Sequence, residues 1–114
     1  MSKDDAPARI ALADARAARP EQGRLSSLLM THGSLELRFY APKGMDPQMP
    51  HNRDELYVVA SGTGTFVRGG ERVTFGPGDA LFVAAHVPHR FENFSADFAT
   101  WVMFYGAEGG ERPS

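Results

Sequence analysis

The 114-residue chain contains no cysteine. That excludes a disulfide scaffold, a thiolate zinc site, an iron–sulfur cluster and a cysteine nucleophile together. Basic charge is not in excess either: 12 Lys and Arg against 14 Asp and Glu give a formal net charge of −2. A protein that holds nucleic acid electrostatically shows a basic face, so no nucleic-acid partner is expected. Long apolar runs are missing too. The longest, Ala80–Ala85 and Trp101–Tyr105, fall far short of the roughly 18 residues that mark a membrane span, so no membrane association is expected. The N-terminal stretch has no apolar segment of the secretory type, and Asp4, Asp5, Asp14 and Glu21 argue against a transit peptide. A cytoplasmic location is the default expectation.

What is present is unevenly spread. All twelve aromatic residues lie between Phe39 and Tyr105, and seven alanines fall between Ala6 and Ala18. Residues 1–23 therefore read as an accessory arm packed outside the core, helical over Ala11–Arg19 up to the stop at Pro20. Residues 24–105 read as a single all-β domain. Residues 106–114 carry three glycines, a proline and two glutamates and read as a tail that frays.

Short β-branched or aromatic runs recur between turn residues, the rhythm of sandwiches and barrels. Strands are expected near Arg24–Thr31, Leu35–Ala41, Glu55–Ala60, Thr63–Arg68, Glu71–Phe75, Ala80–Val83, His89–Phe94 and Phe98–Tyr105. The clearest hairpin turns at Gly69-Gly70, since two glycines accept the positive φ of a two-residue turn. It sets Arg68 opposite Glu71, Phe66 opposite Val73 and Thr65 opposite Thr74. The last strand is apolar on both faces and needs cover on both. One face lines the barrel; the other needs a partner sheet or a second subunit, and a homodimer is expected.

The chemistry lies in the histidines. His51, His86 and His89 share one 39-residue window with Glu55. Two imidazoles, His51 and His89, and the Glu55 carboxylate suit a borderline divalent metal: iron(II), manganese, nickel or zinc. Tyr57 and Val59 share strand parity with Glu55, and Phe91 and Asn93 share it with His89, so all four should face the same interior. Tyr57 is the candidate catalytic residue, a hydrogen-bond donor or acid beside the metal. Met49, Gln48, Val59, Phe91 and Asn93 are candidate pocket-lining residues. His86 is expected to be exposed.

The pattern around these residues resembles the cupin superfamily, in its small single-domain, RmlC-like form. Cupins carry G-x5-H-x-H-x3,4-E-x6-G and G-x5-P-x-G-x2-H-x3-N. Met49-Pro50-His51-Asn52-Arg53-Asp54-Glu55 through Gly62 follows the first motif from its second histidine on. Gly78, His89 and Asn93 fall in register with the second. Met49 stands where the first motif has its leading histidine, Ala84 replaces the proline, and His86 replaces the second glycine. The resemblance implies an antiparallel jelly-roll β-barrel around a two-histidine, one-carboxylate site with positions open to substrate. It implies a small organic ligand, bound or transformed inside the barrel, with oxygenase-type chemistry the natural reading of that site. The rival is a non-catalytic ligand-binding or sensor cupin with a degenerate metal site, because one barrel serves many functions.

Overall fold

Among the described residues eight strands form, in the order β1 (Ser27–His32), β2 (Leu35–Tyr40), β3 (Asp54–Ser61), β4 (Gly64–Arg68), β5 (Glu71–Phe75), β6 (Ala80–Val83), β7 (His89–Glu92) and β8 (Ala99–Tyr105). A short helix, α1 (Leu12–Ala17), precedes them. The computed structural model describes residues 6–112. All eight expected strands form, but β1 begins three residues after the expected Arg24 and β7 ends at Glu92 rather than Phe94. The Gly69-Gly70 hairpin pairs Arg68 with Glu71, Phe66 with Val73 and Thr65 with Thr74, in the expected register.

The strands make the expected jelly roll as two antiparallel sheets facing each other. One has the order β1-β2-β8-β3-β6, the other β5-β4-β7. Strand parity decides what lies between them. Tyr40, Tyr57, Val59, Phe66, Phe75, Leu81, Val83, Phe91, Phe98, Val102 and Phe104 form one buried cluster. Its aromatic rings stack edge-on or tilted, Phe91 with Phe98 at 4.7 Å and with Tyr57 at 4.9 Å. Burying each such ring stabilises the fold by about 1.5–3 kcal/mol.

The outer face of the larger sheet has a different cover from the one expected. Phe39, Ala99 and Ala15 of α1 form a second buried cluster, with Trp101 and Ile10 packed against it. The arm does pack outside, and it supplies at Trp101 the cover that the apolar outer face of β8 demands; this part of the argument for a second subunit falls away. The tail also departs from expectation. Gly109 N–H donates to the Asn52 carbonyl at 2.6 Å and Glu111 N–H to Asp54 Oδ2 at 2.8 Å. Buried Asp54 needs donors for its carboxylate, and the tail provides one while Ala85 N–H provides another at 2.9 Å. Residues 106–111 are therefore pinned rather than frayed, and residues 113–114 lie outside the described chain.

Gly62, the closing glycine of the first motif, has φ +85°, and a Cβ there would stand 2.5 Å from the Cα of Phe98. Both facts demand glycine. The chain can thus turn from β3 into β4 directly against the buried Phe98.

Candidate metal centre

His51, Glu55 and His89 come together as their spacing implies. Glu55 points inward from β3 with 2% of its surface exposed, and His89 opens β7 on the facing sheet. His51 reaches them from the irregular segment 41–53. Its carbonyl accepts the His86 N–H at 2.6 Å, and its ring meets Phe104 edge-on at 4.8 Å. His89 Nε2 stands 3.1 Å and His51 Nε2 3.8 Å from Glu55 Oε1, and the three donor atoms lie within 4.8 Å of one another. Donors about 2.0–2.2 Å from one ion lie no more than about 4.4 Å apart, and the 3.1 and 3.8 Å approaches to Glu55 fall within that reach.

The electrostatics of the site call for a cation. His89 Nδ1 lies 2.9 Å from the Val87 carbonyl, which can only accept, so that nitrogen carries the proton. In the neutral ring Nε2 then presents a lone pair, and the atom it faces is a carboxylate oxygen. The approach makes no hydrogen bond, leaving buried Nε2 and Oε1 both without a partner. Two acceptors held face to face repel unless a positive charge lies between them. A proton or a metal ion meets that need. Burial alone would lower the proton affinity of His89, but the Glu55 carboxylate and the Val87 carbonyl outweigh it and the pKa is raised. At His51 burial dominates over the pull of Glu55, and the pKa is lowered. A neutral His51 is ready to ligate.

A cavity of about 260 Å³ opens on the site, lined among others by Arg24, Leu25, Gln48, Met49, His51, Glu55, Tyr57, Val102 and Phe104. His89 does not line this cavity; it borders a second one of about 340 Å³ that shares Pro47, Gln48 and Pro50 with the first, while its side chain stays buried. Met49 and Gln48 line the first cavity as expected. Val59 and Phe91 do not: both face inward, but they are packed into the aromatic core. Asn93 does not line it either. It is exposed with φ +51°, because β7 ends at Glu92 and the chain turns away.

Tyr57 reaches the cavity, but its hydroxyl proton is already committed. Asp46 accepts from the Tyr40 hydroxyl, from the Gln48 and Phe91 N–H groups, and from Gln48 Nε2 at 2.6 Å. A carboxylate that takes the Gln48 amide nitrogen fixes that side chain's orientation. Gln48 Oε1 must therefore accept, and it does so from the Tyr57 hydroxyl at 3.1 Å. Burial and the Glu55 charge raise the Tyr57 pKa well above its usual value. With its proton given to Gln48 Oε1, the buried Tyr57 hydroxyl keeps a lone pair on its other side.

His86 is exposed, as expected, and holds φ +70°. The backbone still needs the conformation that the family's glycine supplies. A non-glycine residue in the left-handed region costs about 1–2 kcal/mol, part of which glycine loses again as chain entropy. His86→Gly should therefore raise stability by about 0.5–1 kcal/mol, read as a higher urea midpoint at unchanged slope, with metal content unaffected.

Comparison with known proteins agrees with this geometry. The family model described as Cupin domain matches residues 37–105. An uncharacterized protein of Streptomyces coelicolor is 37% identical over 59 residues, 52% of this chain and 56% of that protein. The chain thus spans about half the length of the curated relative it matches. Among solved structures, protein NMB1881 from Neisseria meningitidis superposes with a TM-score of 0.66 at 18% identity, over 86% of this chain and 99% of its own. A cupin-2 domain protein from Shewanella frigidimarina does so at 0.65 and 14% identity, over 85% and 94%. These structures share the fold.

Proposed function

The chain belongs to the cupin family, and from that premise we propose a metal-dependent cupin that binds a small organic ligand beside an ion held by His51, Glu55 and His89. The observation that carries this reading is the convergence of three donors, His51, Glu55 and His89, within 4.8 Å, two of them buried and without a hydrogen-bond partner. The donor set suits iron, manganese, nickel or zinc. A bound ion of this kind supplies Lewis acidity and, as iron(II), redox chemistry towards dioxygen. Oxygenase-type chemistry is the activity that two histidines, one carboxylate and open positions support best.

The chain's own residues prepare the site. The Val87 carbonyl fixes the His89 ring by holding its Nδ1 proton. Phe104 and Val102 give the cavity an apolar wall that keeps water from competing with a ligand. Gln48 holds the Tyr57 hydroxyl so that its lone pair, and not its proton, meets the ligand. A ligand that presents a hydrogen-bond donor at that point is favoured.

Elemental analysis of protein purified without chelator is the first test, with near-stoichiometric divalent metal expected. Oxygen uptake by the iron(II)-loaded chain with candidate substrates is the second, and uptake supports the oxygenase reading. Ligand binding without turnover supports the sensor reading instead. A chain that remains metal-free after incubation with each of the four ions overturns the metal centre.

A further inference from the structure

Resting on that metal-centre reading, we propose that the cavity takes a small organic carboxylate. Its head group is held between the Arg24 guanidinium and the ion, and its apolar body lies against Leu25, Met49, Val102 and Phe104. Arg24 lines the cavity together with His51, and its side chain is half exposed. Its nearest carboxylate oxygen among the described residues, Glu36 Oε2, is 3.8 Å away, beyond hydrogen-bond reach. Glu36 is already engaged: Oε2 accepts from Arg38 at 2.7 Å and Oε1 from Arg53 at 2.8 Å. Glu21 is engaged by Arg38 as well, at 2.9 Å. The planar Arg24 donors are thus available to a ligand, and their fork fits a carboxylate.

The segment that displays Arg24 is held in place. Arg24 N–H donates to the Glu21 carbonyl at 2.9 Å, and buried Arg38 grips both the hydroxyl and the carbonyl of Ser26. The charges around the cavity decide the sign of the ligand. Glu21 and Glu36 are balanced by Arg38 and Arg53. Arg24 and Glu55 both line the cavity and Asp46 lies behind Gln48, so with both imidazoles neutral their formal charges sum to −1. A divalent ion reverses that sum to positive, and an anion becomes the favoured guest. Carboxylate binding should therefore depend on both Arg24 and the ion.

Calorimetric titration of the manganese-loaded protein with hexanoate and benzoate, each against its neutral amide, tests this directly. At least one acid is expected to bind about tenfold more tightly than its amide. Arg24→Gln should lose about that factor for the acid alone, while retaining its metal and its melting temperature. Equal affinity for acid and amide in protein that elemental analysis shows to be loaded overturns the inference. So does an Arg24→Gln variant that binds the acid as before. A chain that takes up no metal overturns the metal-centre reading instead. In that case, acid binding to the metal-free chain would overturn the required part of the ion as well, and no binding would end both.

Discussion

His89→Ala should leave the protein unable to retain a divalent ion through gel filtration, with affinity lower by at least about a hundredfold. Losing even an outer-shell partner of a metal costs 10–100-fold, and in the proposed centre His89 is a direct donor. The removed imidazole supplies Nε2, the nitrogen that faces Glu55 Oε1. What remains is one buried carboxylate and the half-exposed His51 on an irregular segment. His89→Gln, which keeps more of the volume, should show the same loss while retaining the β-sheet circular dichroism spectrum. Elemental analysis and competition with a chromophoric chelator measure both variants. Full metal occupancy in either, alongside an occupied wild type, would show that the ion sits elsewhere.

Arg38→Met should lower the stability of the fold by about 3 kcal/mol, on the order of 10 °C in melting temperature. Arg38 is 1% exposed, and its guanidinium reaches Glu21, Glu36 and Ser26 at 2.7–3.0 Å. Methionine keeps much of the volume and leaves those acceptors without their donor. The glutamates are partly exposed and can rehydrate, so the loss stays below that of a wholly buried ion pair. The acid limb carries a second signature. The Arg38 hydrogen bonds lower the Glu21 pKa from 4.5 to about 2. Burial would raise that of Glu36, but Arg38 and Arg53 overcome it and lower it. Groups with depressed pKa values stabilise the fold above the ordinary carboxylate range, and the contribution is lost as pH falls through their folded values. Wild-type stability should therefore fall as pH drops from 4.5 towards 2, and that limb should flatten in the variant. Unchanged melting and an unchanged acid limb would contradict the assignment.

The strands were legible because period-two alternation and glycine turns act locally, and neither depends on what the sheet packs against. Glu55 and His89 were legible for a related reason, since parity puts a residue on a face; His51 precedes β3 in an irregular segment and was legible only from its motif spacing to Glu55. Parity does not give depth. Val59 and Phe91 share the face of the ligands and yet belong to the core, while Asn93 leaves that face because β7 ends one residue earlier. Arg38 shares parity with inward Tyr40, and a charge on an apolar face is a signal that sequence reading can use. The segment 21–26 had no such signal. It extends the expected first strand in composition, but Arg38 draws it across the barrel mouth, and β1 begins only at Ser27. Asp46 sits in an irregular segment whose path is set by distant donors, the Phe91 N–H and the Tyr40 hydroxyl.

The position of β8 has a consequence for how the protein comes into being. It is the last of the eight strands along the chain, yet it lies in the middle of the larger sheet, between β2 and β3. Until residue 105 has left the ribosome, β2 and β3 have no strand to join them, and each exposes an unpaired edge. Synthesis therefore produces a nascent chain without its main sheet, and the sheet forms in one late, long-range step. His51 and Glu55 flank the start of β3, which that step anchors. On the metal-centre reading proposed above, uptake of an ion would follow that step, although all three donors precede β8 in the chain.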